Sequence, residues 1–245
     1  MDHKIYLAQN SLVSINLHLM GIHEEKETNL VKSQIKEGEI IVDIGANIGY
    51  YTLLFAKLVG ASGNVFAFEP EPYNFQLLQK NVKANSYQNV TIEKKAILDK
   101  NGKTNLYLSK SNVGSHSIFP RTKNHQTCIE VETITLDDYF NNKTGKKISF
   151  VKIDAECSEP AVLRGMTSIL TNKNLKHLIE YAPSNCRRFD EKFSNFLKFL
   201  TEYGFGFHSI LFGKNLIEPI SERQLLKKRF NNSINLFCTK LSSYE

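Results

Sequence analysis

The chain has 245 residues and a formal net charge of +6, and 41% of its residues are hydrophobic while 23% are charged. These values describe an ordinary globular protein that is long enough for one large domain or two small ones. Because no apolar run approaches the ~18 residues of a membrane span and no secretory signal begins the chain, we expect a cytoplasmic protein without a membrane span.

Alternating helices and apolar strands follow an amino-terminal lead-in over residues 1–24. The predicted elements of the first half are a helix over 25–35, a strand over 40–44, a helix over 50–58, a strand over 65–68, a helix over 72–83 and a strand over 89–94. Residues 96–135 differ, because short alternating segments are separated by Gly, Asn, Ser and Pro. This pattern predicts a small antiparallel insertion with a long loop.

Strands and helices continue to alternate after the insertion. The predicted elements are helices over 136–140, 159–170 and 192–203, and strands over 148–153, 175–181, 205–211 and 234–239. This alternation predicts an α/β fold with a mostly parallel sheet, and the last strands are expected to include an antiparallel edge strand. We find no internal repeat or interdomain linker, so residues 25–245 are expected to form a single domain.

The most informative motif joins the first predicted strand to the helix that follows it. Residues 41–49 read Ile-Val-Asp-Ile-Gly-Ala-Asn-Ile-Gly, and Glu69 ends the next apolar run. Gly45 and Gly49 allow a tight turn and close approach of the backbone to a ligand. An acid at the second strand tip, about twenty residues past a glycine turn, is typical of ribose recognition in Rossmann-like folds.

The turn does not match the dinucleotide fingerprint, because Asn47 and Tyr50 stand where GxGxxG requires glycine. Asp43 would also repel a phosphate but could attract an ammonium or a sulfonium. S-adenosylmethionine carries both cations and a ribose and has no phosphate. The motif therefore favours this cofactor over a nicotinamide dinucleotide. A glycine turn with Glu69 as a solvated strand end is the simpler alternative.

In the glycine turn, in Glu69 and in several later segments, the chain resembles the FkbM branch of the class I S-adenosylmethionine-dependent methyltransferases. The matching segments are Asp43–Leu53, Phe68–Pro72, Asn74-Phe75, Leu77-Leu78, Asn81, Asn112–Ser117, Thr135–Asp137, Val151–Asp154, Glu156, Glu159, Leu163–Gly165 and Glu180. The resemblance implies a Rossmann-like fold with a seven-stranded sheet and helices on both faces. It also implies methyl transfer, usually to a hydroxyl oxygen of a sugar or natural product.

The expected cofactor site contains Asp43, Gly45, Asn47, Gly49, Glu69 and Ala96. Glu69 is expected to accept hydrogen bonds from both ribose hydroxyls, and Asp43 to face the methionine ammonium. Asn47 is expected either to bind the cofactor or to hold the loop. Ala96 follows the third strand, where the family packs adenine and hydrogen-bonds it through the backbone.

Three residues are candidates for the base that activates an acceptor hydroxyl, namely Asp154, His116 and Glu180. Asp154 follows a central strand, where open α/β sheets bind ligands. His116 lies in a polar loop over residues 111–117 that could fold over the acceptor. Glu180 could contact substrate hydroxyls or cap a loop.

Asp154, Glu156 and Glu159 could together bind Mg²⁺, but acids at a helix start are explained better by the helix dipole. We therefore expect no metal site. Arg187-Arg188 could recognise an acidic substrate, and a solvated helix start is the simpler explanation.

One departure from the family concerns Cys157, which stands where the family has a glycine. A cysteine would be strained at a left-handed position, or would narrow the pocket if the glycine only provides space. Cys128, Cys157, Cys186 and Cys238 show no zinc-ligand spacing, and without a secretory signal they are most simply reduced thiols.

Two further classes of protein stay open. A nucleic-acid methyltransferase is disfavoured, because the basic residues are dispersed and no Asn/Asp-Pro-Pro-aromatic motif occurs. A cofactor-binding protein without turnover is kept open by Cys157. The expected partner is a glycan or small molecule, no nucleic acid is expected, and the oligomeric state is left open.

Overall fold

The computed structural model describes residues 3–120, 127–141, 147–186, 195–211, 216–227 and 233–241. In chain order the strands are β1 (Ile40–Ile44), β2 (Asn64–Phe68), β3 (Val90–Glu93), β4 (Ala96–Ile97), β5 (Gly102–Tyr107), β6 (Cys128–Ile134), β7 (Phe150–Ile153), β8 (Lys176–Tyr181), β9 (Phe205–Ile210), β10 (Ile217–Ile220) and β11 (Ile234–Lys240). The helices are α1 (Leu12–Met20), α2 (Glu25–Gln34), α3 (Tyr50–Val59), α4 (Pro72–Ala84), α5 (Leu136–Phe140), α6 (Glu159–Arg164), α7 (Thr167–Leu170), α8 (Pro183–Cys186), α9 (Asn195–Glu202) and α10 (Glu222–Lys227).

The main sheet has the strand order β10-β9-β11-β8-β7-β1-β2-β3. The pairs from β8 to β3 are parallel, which confirms the mostly parallel α/β sheet. The sheet described here has eight strands instead of the expected seven, because residues 217–220 add β10 at one edge. β10 pairs antiparallel with β9, so the expected antiparallel edge strand is confirmed, while β11 runs antiparallel inside the sheet.

Both faces of the main sheet are covered by helices. On one face Ile41 and Phe150 pack with Phe55 of α3, and on the other Val42 and Val151 belong to the cluster that contains Leu197 of α9. The near-continuous apolar strands predicted from the sequence agree with burial on both faces.

The expected insertion forms a separate three-stranded sheet with the order β4-β6-β5. Its β5–β6 pair is antiparallel, and its short β4–β6 pair is parallel.

Two predicted helices differ from the observed elements. The helix expected over 159–170 is broken into α6 and α7 around Gly165, a residue with a low helix propensity. The helix expected over 192–203 is observed as α9, and residues 192–194 lie outside the described residues, as do Arg187 and Arg188.

Within the described part of the chain, we find no helix with the length and apolarity that crossing a membrane requires.

Two asparagine side chains, Asn81 in α4 and Asn85 at its C-cap, bind the backbone of the lead-in. The Tyr6 N–H donates to Asn81 Oδ1 at 2.6 Å, and the Lys4 N–H donates to Asn85 Oδ1 at 2.9 Å. The segment then forms α1, which is capped by the Ser11 side chain. It also reaches the insertion, because the Val113 N–H donates to the Asn10 carbonyl at 3.0 Å.

Candidate active site

The glycine turn between β1 and α3 brings three strand ends together. Gly45 has a φ of +76°, and a β-carbon there would lie 1.9 Å from the Asp154 carbonyl oxygen. Gly49 has a φ of +94°, and a β-carbon there would lie 2.6 Å from Leu78 Cδ1. Only glycine satisfies both the backbone angle and the close approach at these positions. The turn can therefore sit directly against the end of β7.

Glu69 follows β2 and supports the same turn. Its Oε2 accepts from the Asn47 N–H at 2.8 Å, and its Oε1 accepts from the Glu71 N–H at 2.9 Å. Burial raises the pKa of this carboxyl to about 7, although the two backbone N–H donors act in the opposite direction. Asn47 Oδ1 accepts from the Ile48 N–H at 2.7 Å, so this side chain contributes to holding the loop.

Asp43 is fully buried within β1. Thr52 of α3 donates its hydroxyl to Asp43 Oδ2 at 2.6 Å, whereas Oδ1 has no hydrogen-bond partner among the described residues. Burial raises the pKa of Asp43, and the charge of Lys152 on the neighbouring strand opposes that shift. A buried carboxylate oxygen without a partner is costly unless a ligand satisfies it, and an ammonium group would do so.

Asn74 is a site residue to which the sequence argument assigned no role. It is 2% exposed, its Nδ2 donates to the Val113 carbonyl at 2.8 Å, and its Oδ1 has no partner among the described residues. Val113 belongs to residues 111–117, which we call the roof loop. At the other end of this loop the Ser117 hydroxyl donates to the Glu156 carbonyl at 2.7 Å. The roof loop therefore links α4 to the turn after β7.

A cleft lies beneath the roof loop at the carboxyl ends of the strands. Its lining includes Gly45, Asn47, Glu69, Asn74, Ala96, His116, Asp154 and Glu156. Four of the six predicted cofactor residues, namely Gly45, Asn47, Glu69 and Ala96, are thus brought to one cavity. Asp43 and Gly49 are not part of the lining, and they lie behind it in β1 and at the start of α3.

Asp154 lies at the tip of β7, where its N–H donates to the Ile44 carbonyl at 3.1 Å. Lys152 is 4% exposed and donates from Nζ to Asp154 Oδ2 at 2.8 Å, while the same ammonium lies 4.8 Å from the Tyr51 ring centroid. The acids around it hold the pKa of Lys152 above its ordinary value despite burial. A lysine inside the apolar run of β7 was the available sequence signal, because a buried ammonium requires an acidic partner.

His116 lines the cleft, and its Nδ1 accepts from the Ser109 N–H at 3.0 Å. Burial lowers the pKa of His116, which favours the neutral ring. Because Nδ1 acts as an acceptor, the proton of the neutral ring is on Nε2. This arrangement presents a hydrogen-bond donor, so the geometry suits His116 for orienting a ligand better than for removing a proton.

Glu180 lies near the end of β8 and is not part of the cleft lining. Burial and the charges of Asp154, Glu156 and Glu159 raise its pKa well above the ordinary value. The protonated form of Glu180 is therefore favoured, which weakens its case as a base.

Glu159 contributes to the local turn, where its Oε1 accepts from the Ala155 N–H at 3.0 Å. Among the described residues, no group of three His, Cys, Asp or Glu side chains could hold a metal ion.

The expectation of four reduced thiols is wrong for one pair, because Cys157 and Cys186 form a disulfide. Spacing along the chain could not indicate this pairing, since the two segments meet only through the parallel pairing of β7 and β8. Cys157 has a φ of +78°, so the position where the family has glycine is indeed left-handed. Cys128 is an exposed free thiol, and Cys238 is a buried one.

Comparisons with known proteins agree with this geometry. The model of the methyltransferase FkbM domain matches residues 43–207. Hexuronic acid methyltransferase AglP of Haloferax volcanii is 28% identical over 152 residues, and the match covers 62% of this chain and 59% of AglP. The chain therefore spans about three-fifths of the length of this relative.

Two solved structures share the fold. Methyltransferase FkbM from Methylobacillus flagellatus KT has a TM-score of 0.50 at 14% identity, and the match covers 91% of this chain and 52% of that one. SMU.1697c from Streptococcus mutans, in complex with SAH, has a TM-score of 0.50 at 12% identity, with coverage of 89% and 97%. The family match spans well over half of the chain, and the fold, the glycine turn and the acidic strand tips agree with it. This chain belongs to the FkbM methyltransferase family.

Proposed function

We propose that the protein is an S-adenosylmethionine-dependent methyltransferase that methylates a hydroxyl oxygen of a sugar or a small hydroxylated metabolite. The observation that carries this proposal is the pair of buried carboxylates on neighbouring strands, Asp43 within β1 and Glu69 after β2, beside a cleft that Asp154 also lines. The family match and the SAH complex of the Streptococcus mutans protein support the same cofactor.

The residues present fit this cofactor. Asp43 Oδ1 is buried behind the cleft lining without a partner among the described residues, and from there its charge can balance that of a cofactor ammonium. Glu69 already accepts two N–H donors, and its carboxylate has lone pairs left for ribose hydroxyls. Asn74 Oδ1 is a further acceptor at the cleft. Ala96 provides backbone and a small side chain where adenine is expected.

When bound, the cofactor supplies an electrophilic methyl group on a sulfonium. Asp154 then has to orient an acceptor hydroxyl and take its proton as the oxygen–carbon bond forms. Lys152 occupies Oδ2 of Asp154, and Oδ1 has no partner among the described residues, so Oδ1 is the oxygen available to the acceptor. A positioned base contributes roughly 10²–10⁴-fold, and correct placement of the acceptor contributes more.

The charges around Asp154 favour an acceptor without phosphate groups. Asp154 and Glu156 both line the cleft and bring two carboxylates to it. A nucleic-acid backbone would meet like charges here, whereas sugar hydroxyls can donate hydrogen bonds to carboxylates. The name of AglP supports a sugar acceptor as well.

The test is a screen of hexoses, uronic acids, hydroxylated metabolites and short RNA and DNA oligonucleotides with S-adenosylmethionine labelled in the methyl group. We expect label in an ether-linked methyl group of a sugar or metabolite, and none in the oligonucleotides. Calorimetry with S-adenosylmethionine and NADH tests the cofactor separately. Binding of NADH alone would refute the cofactor assignment, and label in RNA or DNA would refute the acceptor class.

A further inference from the structure

The Cys157–Cys186 disulfide joins the segments that follow two neighbouring strands. Cys157 lies in the turn after β7, three residues beyond Asp154, and Cys186 ends α8, which begins shortly after β8. The two α-carbons are 5.2 Å apart, and both side chains are buried. The cross-link therefore spans the part of the sheet edge where Asp154 and Glu180 lie.

The turn that carries Cys157 has an unfavourable backbone conformation. Glu156 has a φ of +49° and Cys157 a φ of +78°, so two successive residues with side chains are left-handed. Residues with a β-carbon rarely adopt this conformation, and a pair of them persists only when the surroundings impose it. The disulfide is one such constraint, because it anchors Cys157 to a second segment of the chain.

The same turn shapes the acceptor side of the cleft. The side chain of Glu156 lines the cleft, and its carbonyl accepts the hydroxyl of Ser117 at 2.7 Å, which joins the turn to the roof loop. The Ser158 N–H closes the turn by donating to the Ala155 carbonyl at 3.0 Å. A change in the turn would therefore move Glu156, the roof loop and the neighbourhood of Asp154 together.

We propose that the disulfide is a positioning device for the acceptor site. It holds the Glu156–Cys157 turn in its left-handed conformation, so methyl transfer depends on the oxidation state of the two cysteines far more than cofactor binding does. Reduction by a dithiol breaks the S–S bond, forms two S–H groups and converts the dithiol to its own disulfide. The inference rests on the proposed function, since the acceptor site is part of it.

Cofactor binding is expected to depend little on the disulfide, because its two carboxylates are supplied by other elements. Asp43 lies in β1 and Glu69 follows β2, whereas Asn74 of α4 also contacts the roof loop. The contacts that hold Glu69 run to Asn47 and Glu71, and none involves the turn after β7.

Two substitutions at one position separate the backbone effect from the cross-link. Cys157→Gly removes the disulfide but adopts positive φ freely, whereas Cys157→Ala removes it and disfavours that conformation. We expect Cys157→Gly to keep kcat within about threefold of the oxidised protein, and Cys157→Ala to lose roughly five- to thirtyfold. Reductant is expected to lower the kcat of the unsubstituted protein and to leave both variants unchanged. The Kd for S-adenosylmethionine should change far less than kcat throughout.

Cys128→Ser is the matched control, because it removes an exposed free thiol of β6 that takes no part in the disulfide. It should respond to reductant as the unsubstituted protein does. Equal kcat before and after reduction would overturn the proposal, and so would a parallel loss of cofactor affinity, which would indicate general destabilisation.

Two measurements do not require an acceptor. Thiol titration of the unfolded, unreduced protein should find two of the four cysteines free. Hydrogen exchange at the amides of Ala155 and Ser158 should accelerate on reduction and in Cys157→Ala, but not in Cys157→Gly. If no acceptor is methylated, the proposed function fails while these results still decide whether the disulfide holds the turn. Four free thiols, or unchanged exchange, would refute the inference by itself.

Discussion

Glu69→Gln tests the cofactor site most directly, because the substitution preserves shape and removes charge. A carboxylate that accepts two ribose hydroxyls makes charge-assisted bonds of ~1.5–3 kcal/mol each. Glutamine keeps one acceptor oxygen, loses the charge, and turns an amide group toward the Asn47 or Glu71 N–H. We expect a loss of about 2–3 kcal/mol, which corresponds to a Kd for S-adenosylmethionine roughly 30- to 150-fold weaker.

The pH dependence gives a second, independent readout. Because burial raises the pKa of Glu69 to about 7, the carboxyl is mostly protonated at pH 6 and mostly ionised at pH 8. If the ionised form binds the ribose, the apparent Kd of the unsubstituted protein weakens about tenfold from pH 8 to pH 6. The free energy of unfolding of the cofactor-free protein should be higher at pH 6 than at pH 8, whereas the affinity for the cofactor should be lower at pH 6. A raised pKa in the folded state means that this group's contribution to stability is lost as pH rises through about 7.

Isothermal titration calorimetry at pH 6 and pH 8 measures the Kd, and a denaturant titration at the same pH values measures the free energy of unfolding. In Glu69→Gln the pH dependence should disappear together with the affinity. Glu202→Gln, on the exposed side of α9, is a control that should leave the Kd and its pH profile unchanged. A Kd within twofold of the unsubstituted protein, or a pH profile that survives the substitution, would refute the assignment of Glu69 to the ribose.

Three further predictions concern the remaining site. Asp154→Asn should lower kcat by roughly 10²–10⁴-fold and change the cofactor Kd far less, and equal turnover would remove Asp154 from the chemistry. Lys152→Met should destabilise the fold by about 3–5 kcal/mol in a denaturant titration, because it leaves Asp43 and Asp154 without their buried cation. Lys198→Met, on the exposed face of α9, should change stability by less than about 1 kcal/mol. Asn74→Ala should weaken the cofactor Kd because Oδ1 is lost, and it should accelerate hydrogen exchange in the roof loop because the bond to Val113 is lost. An unchanged Kd would show that Oδ1 does not bind the cofactor.

The sequence was sufficient to predict that the glycine turn and Glu69 come together at one cleft, which is the proposed cofactor side of the site. Strands β1 and β2 are nearly continuous apolar runs that end in Asp43, the glycine turn and Glu69, so their positions in space follow from parallel pairing alone. For the same reason the cleft could be expected at the carboxyl ends of these strands. At Cys157 the sequence left two explanations open, a left-handed position or a glycine that only provides space, and the positive φ agrees with the first.

The contacts of the roof loop and of the proposed acceptor side could be predicted less well, because they join segments far apart in the chain. Asn74 and Val113 are 39 residues apart, and no local pattern indicates that they meet. The tautomer of His116 depends on the Ser109 N–H, and the high pKa of Glu180 depends on burial beside three other acids. The disulfide was missed for the same reason, since it forms only after β7 and β8 have paired.

The backbone bond from Val113 to Asn10 has a consequence for how the protein could be shortened. Residues 1–24 are a weakly patterned lead-in in the sequence, yet they act as a strap across α4 and onto the roof loop. A version that starts at residue 25 would keep every strand of the main sheet and lose the hydrogen bond that Asn10 makes with the roof loop. Such a truncated protein would be a poor subject for acceptor screening, because an inactive result would report the missing strap instead of the wrong acceptor.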